Sequence, residues 1–452
     1  MIHCFTINGC HIVLDVNSGA VHVLDNLANA ILTESAESLK GRYSQEEIAE
    51  AQAEIDKLIA NGQLYSKPLT AKEAEISFTE NRKPVVKALC MHIAHDCNLR
   101  CAYCFAGEGD YGDISPSLMS AETGKKAIDF LVANSGNRRN LEVDFFGGEP
   151  TLNFEVVKTI VDYARGLESD QDSGKKFRFT LTTNGLLLDQ EKIDYINHHM
   201  DNVVLSLDGR KEVNDKMRKS KNANASCYDM VLPKFKKLVE ARQHQRYYIR
   251  GTYTQENLDF CNDVLHLADL GFTQISVEPV IGSATASYSI KQENIPTLCA
   301  EYERLATEMI NRNFNFFHFM LDMTNGPCAS KRITGCGAGT EYLAVTPEGD
   351  LYPCHQFVGY EEFCLGNLDR GIGINKWQEQ FDKCNVYTKP ECDACWAKYF
   401  CSGGCAANAY HINGDIMKPD EIGCELQKKR LECALYLLVG DSYNTNPHLK
   451  RV

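Results

Sequence analysis

The chain has no apolar run long enough to cross a bilayer: stretches such as "ALYLLVG" at 434–440 fall far short of the roughly 20 residues that a spanning helix needs. Its opening, "MIHCFTINGC", lacks the basic-then-apolar pattern of an export signal. Together these absences predict a cytoplasmic protein with no membrane partner. An excess of positive charge is missing as well. The net charge of −14 argues against a duplex-binding protein, so no nucleic-acid partner is expected, although a basic groove for a small acidic ligand remains compatible with it. At 452 residues the chain can bury two or three separate cores.

Cysteine, by contrast, is abundant, with twenty in the chain. A chain of this size needs no disulfide staples, and without an export signal the clustered thiols read as metal or cluster ligands. Cys4, Cys10, Cys90, Cys227, Cys261, Cys299, Cys364, Cys384 and Cys433 stand alone in apolar or helical contexts and are expected to be small buried hydrophobes.

Three regions separate along the chain. At 2–6, 11–15 and 20–24, β-favouring runs are joined by Asn8-Gly9 and Asn17-Ser18-Gly19, both turn signals. Helical patterns follow near 25–34 and from Ser44, where Ser44 and Glu47 form a capping box and Ile48, Ile55, Leu58 and Ile59 a stripe ending at Gly62. Residues 1–70 thus resemble a winged helix. Its acidic second helix suits peptide capture along a strand edge better than DNA. Residues 71–86 are polar and read as a linker. From 87 to 310 strand-like runs at 87–92, 141–146, 177–182, 202–207, 247–253 and 274–279 alternate with helical patterns such as 121–134, 154–166 and 229–242. That alternation predicts an α/β fold with parallel pairing and its chemistry at the C-terminal strand ends. The motifs fall there: "HDCNLRCAYCF" (95–105) after the first strand, "GGEP" (147–150) after the second, "TTNG" (182–185) after the third and "SLDG" (206–209) at the fourth.

Cys97, Cys101 and Cys104 could hold three irons of a four-iron, four-sulfur cluster and leave the fourth iron free, or bind zinc with His92 or His95 as a fourth ligand. The pattern CxxxCxΦC, with Tyr103 as the aromatic, followed by "GGEP", resembles the radical S-adenosylmethionine (SAM) superfamily. The resemblance implies a partial (β/α)6 barrel whose free iron chelates the amine and carboxylate of SAM. It implies that Gly147, Gly148 and Glu149 meet the SAM amine, that Asn184 and Ser206 face the ribose and methionyl carboxylate, and that Arg218 offers a guanidinium to a carboxylate. Many relatives carry His-Asp before this arginine; here the pair is Asn214-Asp215, so no role passes to the residue before Asp215.

Residues 311–452 hold a second array, Cys336-x12-Gly349-x4-Cys354 and Cys392-x2-Cys395-x5-Cys401-x3-Cys405, then Cys424. Two zinc sites or two clusters would explain it. The order resembles the SPASM domain of peptide-modifying radical SAM enzymes. Its ligation, carried over, gives Cys336, Cys354 and Cys405 to a first auxiliary cluster and Cys392, Cys395, Cys401 and Cys424 to a second. Cys328 either completes the first cluster or leaves it an open iron for a substrate thiolate, and the second reading is preferred.

Across all three parts the chain resembles the maturases of six-cysteine (SCIFF) peptides, of the sactionine and ranthipeptide type. This implies an enzyme that uses SAM and three 4Fe-4S clusters, a Cys-rich precursor peptide with a leader, and a low-potential electron donor. The implied reaction cleaves SAM to a 5′-deoxyadenosyl radical, takes hydrogen from an acceptor carbon and closes a thioether with a cysteine sulfur. Carbon–carbon crosslinking or another radical oxidation is the alternative. An electron-transfer or zinc-scaffold protein would explain the cysteines but not "GGEP", "TTNG" and "SLDG".

Overall fold

The computed structural model describes residues 1–445 apart from 69–84, 110, 112–115, 170–173, 222–224, 283–284, 322–332 and 374–375. Nearly all of the expected linker, and Cys328, lie outside the described residues.

Strands β1 (Ile2–Ile7), β2 (Cys10–Asp15) and β3 (Val21–Leu24) form an antiparallel sheet in that order. The β1–β2 turn puts Asn8 (φ 49°) and Gly9 (φ 75°) in the left-handed region, as a two-residue hairpin requires. Beyond the helices Asn26–Thr33 and Ala36–Leu39, the helix Gln45–Ala60 starts at the Ser44–Glu47 capping box. Its stripe is narrower than expected. Ile55 is buried with Val13 and Leu64, while Ile59 is 39% exposed because the helix covers a small three-stranded sheet with only one turn face. The unit is seated on the rest of the chain. The His3 ring stacks on Trp396 (3.7 Å between centroids) with Nε2 2.9 Å from Glu432, and Asn8 Nδ2 donates to Thr307 Oγ1 at 2.7 Å.

The large sheet carries the middle of the chain. In sequence order come β4 (Ala88–His95), β5 (Leu99–Cys101), β6 (Ser117–Leu118), β7 (Asn140–Gly147), β8 (Lys176–Thr183), β9 (Asn202–Ser206), β10 (Arg218–Ser220), β11 (Tyr247–Tyr253), β12 (Gln274–Pro279) and β13 (Asn315–Phe316). Strands β4, β7, β8, β9, β11, β12 and β13 are neighbours in that order and all parallel. Alternation explains the layers: Leu141, Val143, Phe145, Phe177, Phe179 and Leu181 are buried toward the helices Ala121–Asn134 and Phe154–Glu168, while Asp144, Thr180 and Thr182 occupy the other, less buried face. The six strands read from the sequence are all present. The sheet stays open, because β4 pairs not with β13 but with β14 (Tyr342–Val345), in parallel. Strands β15 (Asp350–Tyr352), β16 (Gly366–Asn367) and β17 (Gly371–Ile372) extend that edge antiparallel.

One sheet therefore runs across the expected boundary at 310/311: β13 closes one edge and β14 to β17 the other. The 25-residue helix Glu421–Thr445, absent from the sequence reading, lies against the helix Ile295–Met309, with Lys429 Nζ 2.7 Å from Glu303 and Arg430 Nε donating to Tyr302 at 2.8 Å. Among the described residues no helix is long and apolar enough to cross a membrane.

Candidate active site

The three thiols sit on the turn that leaves β4. Strand β5 folds that turn back and pairs with β10, so that Cys101 lies opposite Arg218 and the Ala102 N–H donates to Met217 O at 2.8 Å. Gly109 (φ 98°) returns so closely that a Cβ there would lie 2.8 Å from Cys97 Cβ and 3.1 Å from Gly148 Cα. The triad and the "GGEP" turn are thus one packed unit. Cys97 Sγ accepts from the Leu99 N–H at 3.4 Å and from Asn184 Nδ2 at 3.7 Å. The thiols are electrostatic neighbours, Cys101 of both Cys97 and Cys104. Burial pushes Cys97 and Cys101 up to about 12, with Glu149 raising Cys97 further and Arg218 opposing the rise at Cys101. Left alone these are neutral thiols, and bound iron is what would make them thiolates.

His92 and His95 do not complete the triad. They hydrogen-bond each other (Nδ1 to Nε2, 3.0 Å) in the core, packed against Tyr111, and burial lowers both, His95 to about 4. The pairing turns one ring nitrogen of each onto the other histidine rather than onto the triad. Among the described residues no three His, Cys, Asp or Glu groups stand close enough to hold a single metal ion. The spread of the triad instead suits a cluster that takes one thiolate per iron.

Gly147 and Gly148 are dictated by contact: a Cβ on Gly147 would meet Ala94 O at 2.3 Å and one on Gly148 would meet Asp96 O at 2.1 Å. Glu149 turns inward. Its carboxylate accepts from the N–H and hydroxyl of Thr151, from Thr183 Oγ1 (2.7 Å) and from the Asn184 N–H (2.8 Å). In this conformation it ties the ends of β7 and β8 together, where a contact with the SAM amine was expected. Asn184 Nδ2 reaches Asn98 Oδ1 at 2.8 Å, linking "TTNG" to the triad turn. Ser206 ends β9, half-buried beside Arg250 in register.

Asp208 is the residue that sequence reasoning passed over. Fully buried, it accepts from Tyr103 Oη (2.7 and 2.8 Å), Arg218 Nε (3.0 Å) and the Thr252 N–H (3.0 Å), while its own N–H donates to Asn214 Oδ1 (3.3 Å). Arg218 also lies 5.6 Å from the Tyr103 ring. The signal was in "SLDG", of which the sequence reading gives a role to Ser206 alone. Asp208 takes the Nε of Arg218 and leaves its two terminal nitrogens without a hydrogen bond among the described residues, so they can receive a carboxylate.

The C-terminal thiols fall into two groups. Cys354 has Cys405 and Cys336 as electrostatic neighbours, and Cys405 has Cys336. Cys392 has Cys401 and Cys395, and Cys424 has Cys401 and Cys392. Cys384, expected to be an isolated core residue, instead lines a cavity with Cys336 and Lys389. Cys104 of the triad packs against a buried cluster that also contains Tyr111, Cys90 and Cys354, so the triad and one C-terminal thiol border the same core.

Residues 91–259 match the radical SAM superfamily. The chain is 26% identical to mycofactocin maturase MftC of Mycolicibacterium smegmatis, covering 74% of this chain and 81% of that protein. It is 25% identical to the antilisterial bacteriocin subtilosin biosynthesis protein AlbA of Bacillus subtilis, covering 73% and 70%. Among solved structures, anSMEcpe with bound AdoMet and the Cp18Cys peptide superposes with a TM-score of 0.65 at 20% identity, covering 79% of this chain and 99% of that one. Streptococcus suis SuiB bound to precursor peptide SuiA superposes at 0.53 and 17% identity, covering 93% and 98%. The superfamily match begins inside β4 and ends just past β11, the stretch that builds the triad and the strand ends around it: residues 91–259 form a radical SAM domain.

Proposed function

We infer that the protein is a peptide maturase that uses SAM and three 4Fe-4S clusters to join cysteine sulfur to an acceptor carbon in a Cys-rich precursor peptide. The observation that carries this reading is the buried cluster that contains Tyr111, Cys90 and Cys354 and against which Cys104 of the triad packs. It gives a radical site and a second thiol array a common interior. The names of two relatives, a mycofactocin maturase and a subtilosin biosynthesis protein, and a fold neighbour bound to a precursor peptide support a peptide substrate.

When bound, SAM on a triad-held cluster supplies the power to take a hydrogen atom from an unactivated carbon. The chain does the rest by placement. Arg218, fixed by Asp208, offers its free nitrogens to the methionyl carboxylate; Asn184 and Ser206 mark the strand ends where the ribose would lie. Glu149 holds two of those ends in register. Tyr111, His92 and His95 fill the core behind the triad and keep water from it. In the C-terminal array Cys336, Cys354 and Cys405 leave room for a substrate thiolate, and a thiolate fixed beside a carbon radical gains from proximity. A low-potential donor supplies the electron. Among the described residues β3 pairs with β2 alone, and a leader can add to its other edge as a further strand.

Mass spectrometry of iodoacetamide-treated product tests the bond. Each bridge should lower the peptide mass by two hydrogens and remove one alkylatable thiol, with one 5′-deoxyadenosine formed per bridge. A product lighter by two hydrogens that keeps every thiol would make the enzyme a carbon–carbon crosslinker instead.

A further inference from the structure

Lys389 is 2% exposed, and its ammonium lies among thiols. Its Nζ donates to Gly403 O at 3.0 Å, and its charge neighbours the Cys384 thiol. No carboxylate pairs with it among the described residues. A neighbouring buried lysine shows the ordinary solution: Lys398, 7% exposed, has Nζ 3.3 Å from the carboxylate of Asp393. A buried ammonium without a counter-charge is strongly disfavoured, so something anionic belongs beside Lys389. Its charge is felt at Cys392 and Cys401 of one thiol group, at Cys405 of the other, and at Cys384. It lines the same cavity as Cys336 and Cys384. The cavity carries the hydroxyls of Thr334 and Ser402 and the amide of Asn385 beside its two thiols and, among the described residues, no carboxylate. Thiolates carrying iron and sulfide are an anionic group that Cys336 and its neighbouring thiols suit.

We propose that Lys389 is the shared counter-charge of two iron–sulfur clusters held by the C-terminal cysteines, and that it raises the reduction potential of both. The assignment rests on the reading of those cysteines as cluster ligands. Lys389 is a positioning residue: it touches no substrate and acts through the clusters. A cation stabilises the extra electron of a reduced cluster, so removing it makes each cluster harder to reduce. Its position between the two thiol groups gives both clusters a common electrostatic control.

The test uses the full chain, reconstituted anaerobically, as wild type, Lys389→Met, Lys389→Gln and Lys389→Arg, with iron and sulfide counted per chain. Reductive titrations are followed by electron paramagnetic resonance. At a fixed potential the two neutral variants should show at least a tenfold lower ratio of reduced to oxidised auxiliary cluster, which is a shift of about 59 mV to the negative for one electron. The Arg variant should stay near wild type, and the triad cluster should be unmoved in all four. If the neutral variants load no auxiliary iron while the Arg variant does, the charge itself is needed for assembly and the proposal stands. Neutral variants with unshifted potentials would overturn it. So would an Arg variant as defective as the neutral ones, since shape and not charge would then be at issue. A wild-type chain that binds no auxiliary iron or sulfide would instead remove the cluster reading of the array, an outcome distinct from an unshifted potential.

Discussion

At the level of single residues, the site depends on groups that hold other groups. Asp208 forms no hydrogen bond with the thiols among the described residues, yet Tyr103, Arg218 and the backbone of β11 all meet at its carboxylate. Arg218 is 9% exposed, and breaking a buried pair from one side leaves a charge with no partner. Asp208→Ala is expected to cost about 3–5 kcal/mol of stability and to abolish 5′-deoxyadenosine formation. Thermal unfolding followed by circular dichroism, with product measured by liquid chromatography, checks both. A variant that melts with wild type would show that Arg218 does not need Asp208. The cysteines themselves were legible as a pattern because spacing is local. Asp208 was not, because its three donors come from segments far apart in the chain.

Secondary-structure elements were read more completely where their signals were short-range. Every strand from β1 to β4 and from β7 to β9, with β11 and β12, matches an expected run, and the helix Gln45–Ala60 begins at its capping box. Strands β14 to β17 escaped because two to four residues carry little periodicity, and the helix Glu421–Thr445 because cysteine and charged residues interrupt its apolar face. The first element with a separable task is the sheet β1–β3. Among the described residues β3 pairs with β2 alone, while His3 of β1 rests on Trp396 and Glu432. Deleting residues 1–70 should weaken binding of the precursor's leader by at least about tenfold yet leave uncoupled SAM cleavage in place, since edge pairing supplies affinity and not chemistry. A fluorescence anisotropy titration with unchanged leader affinity would place recognition elsewhere.

For the whole molecule the decisive fact is the continuous sheet. Because β14 pairs with β4, the C-terminal array is joined to the strand that launches the triad, and the two cannot be separated without exposing a strand edge. Truncation at residue 321 should therefore leave Leu89 and Met91 on an uncovered edge and give an aggregating chain. Size-exclusion chromatography checks this; a monomeric truncated barrel that still cleaves SAM would show that the array is an appendage.

What the sequence determined by itself was everything carried by adjacency: the triad on a post-strand turn, the alternation that makes a parallel sheet, the turn glycines, the spacing of the second cysteine array. Tertiary structure alone decided which of these meet. It turned Glu149 inward to Thr183 and Asn184, paired His92 with His95 instead of with the thiols, placed Asp208 at the junction of Tyr103 and Arg218, and set Lys389 between two groups of cysteines. The reason is physical. A spacing constrains a few consecutive bonds, whereas the partner of a buried charge or hydrogen bond is set by which distant segments the assembly of the sheet brings within about 3 Å.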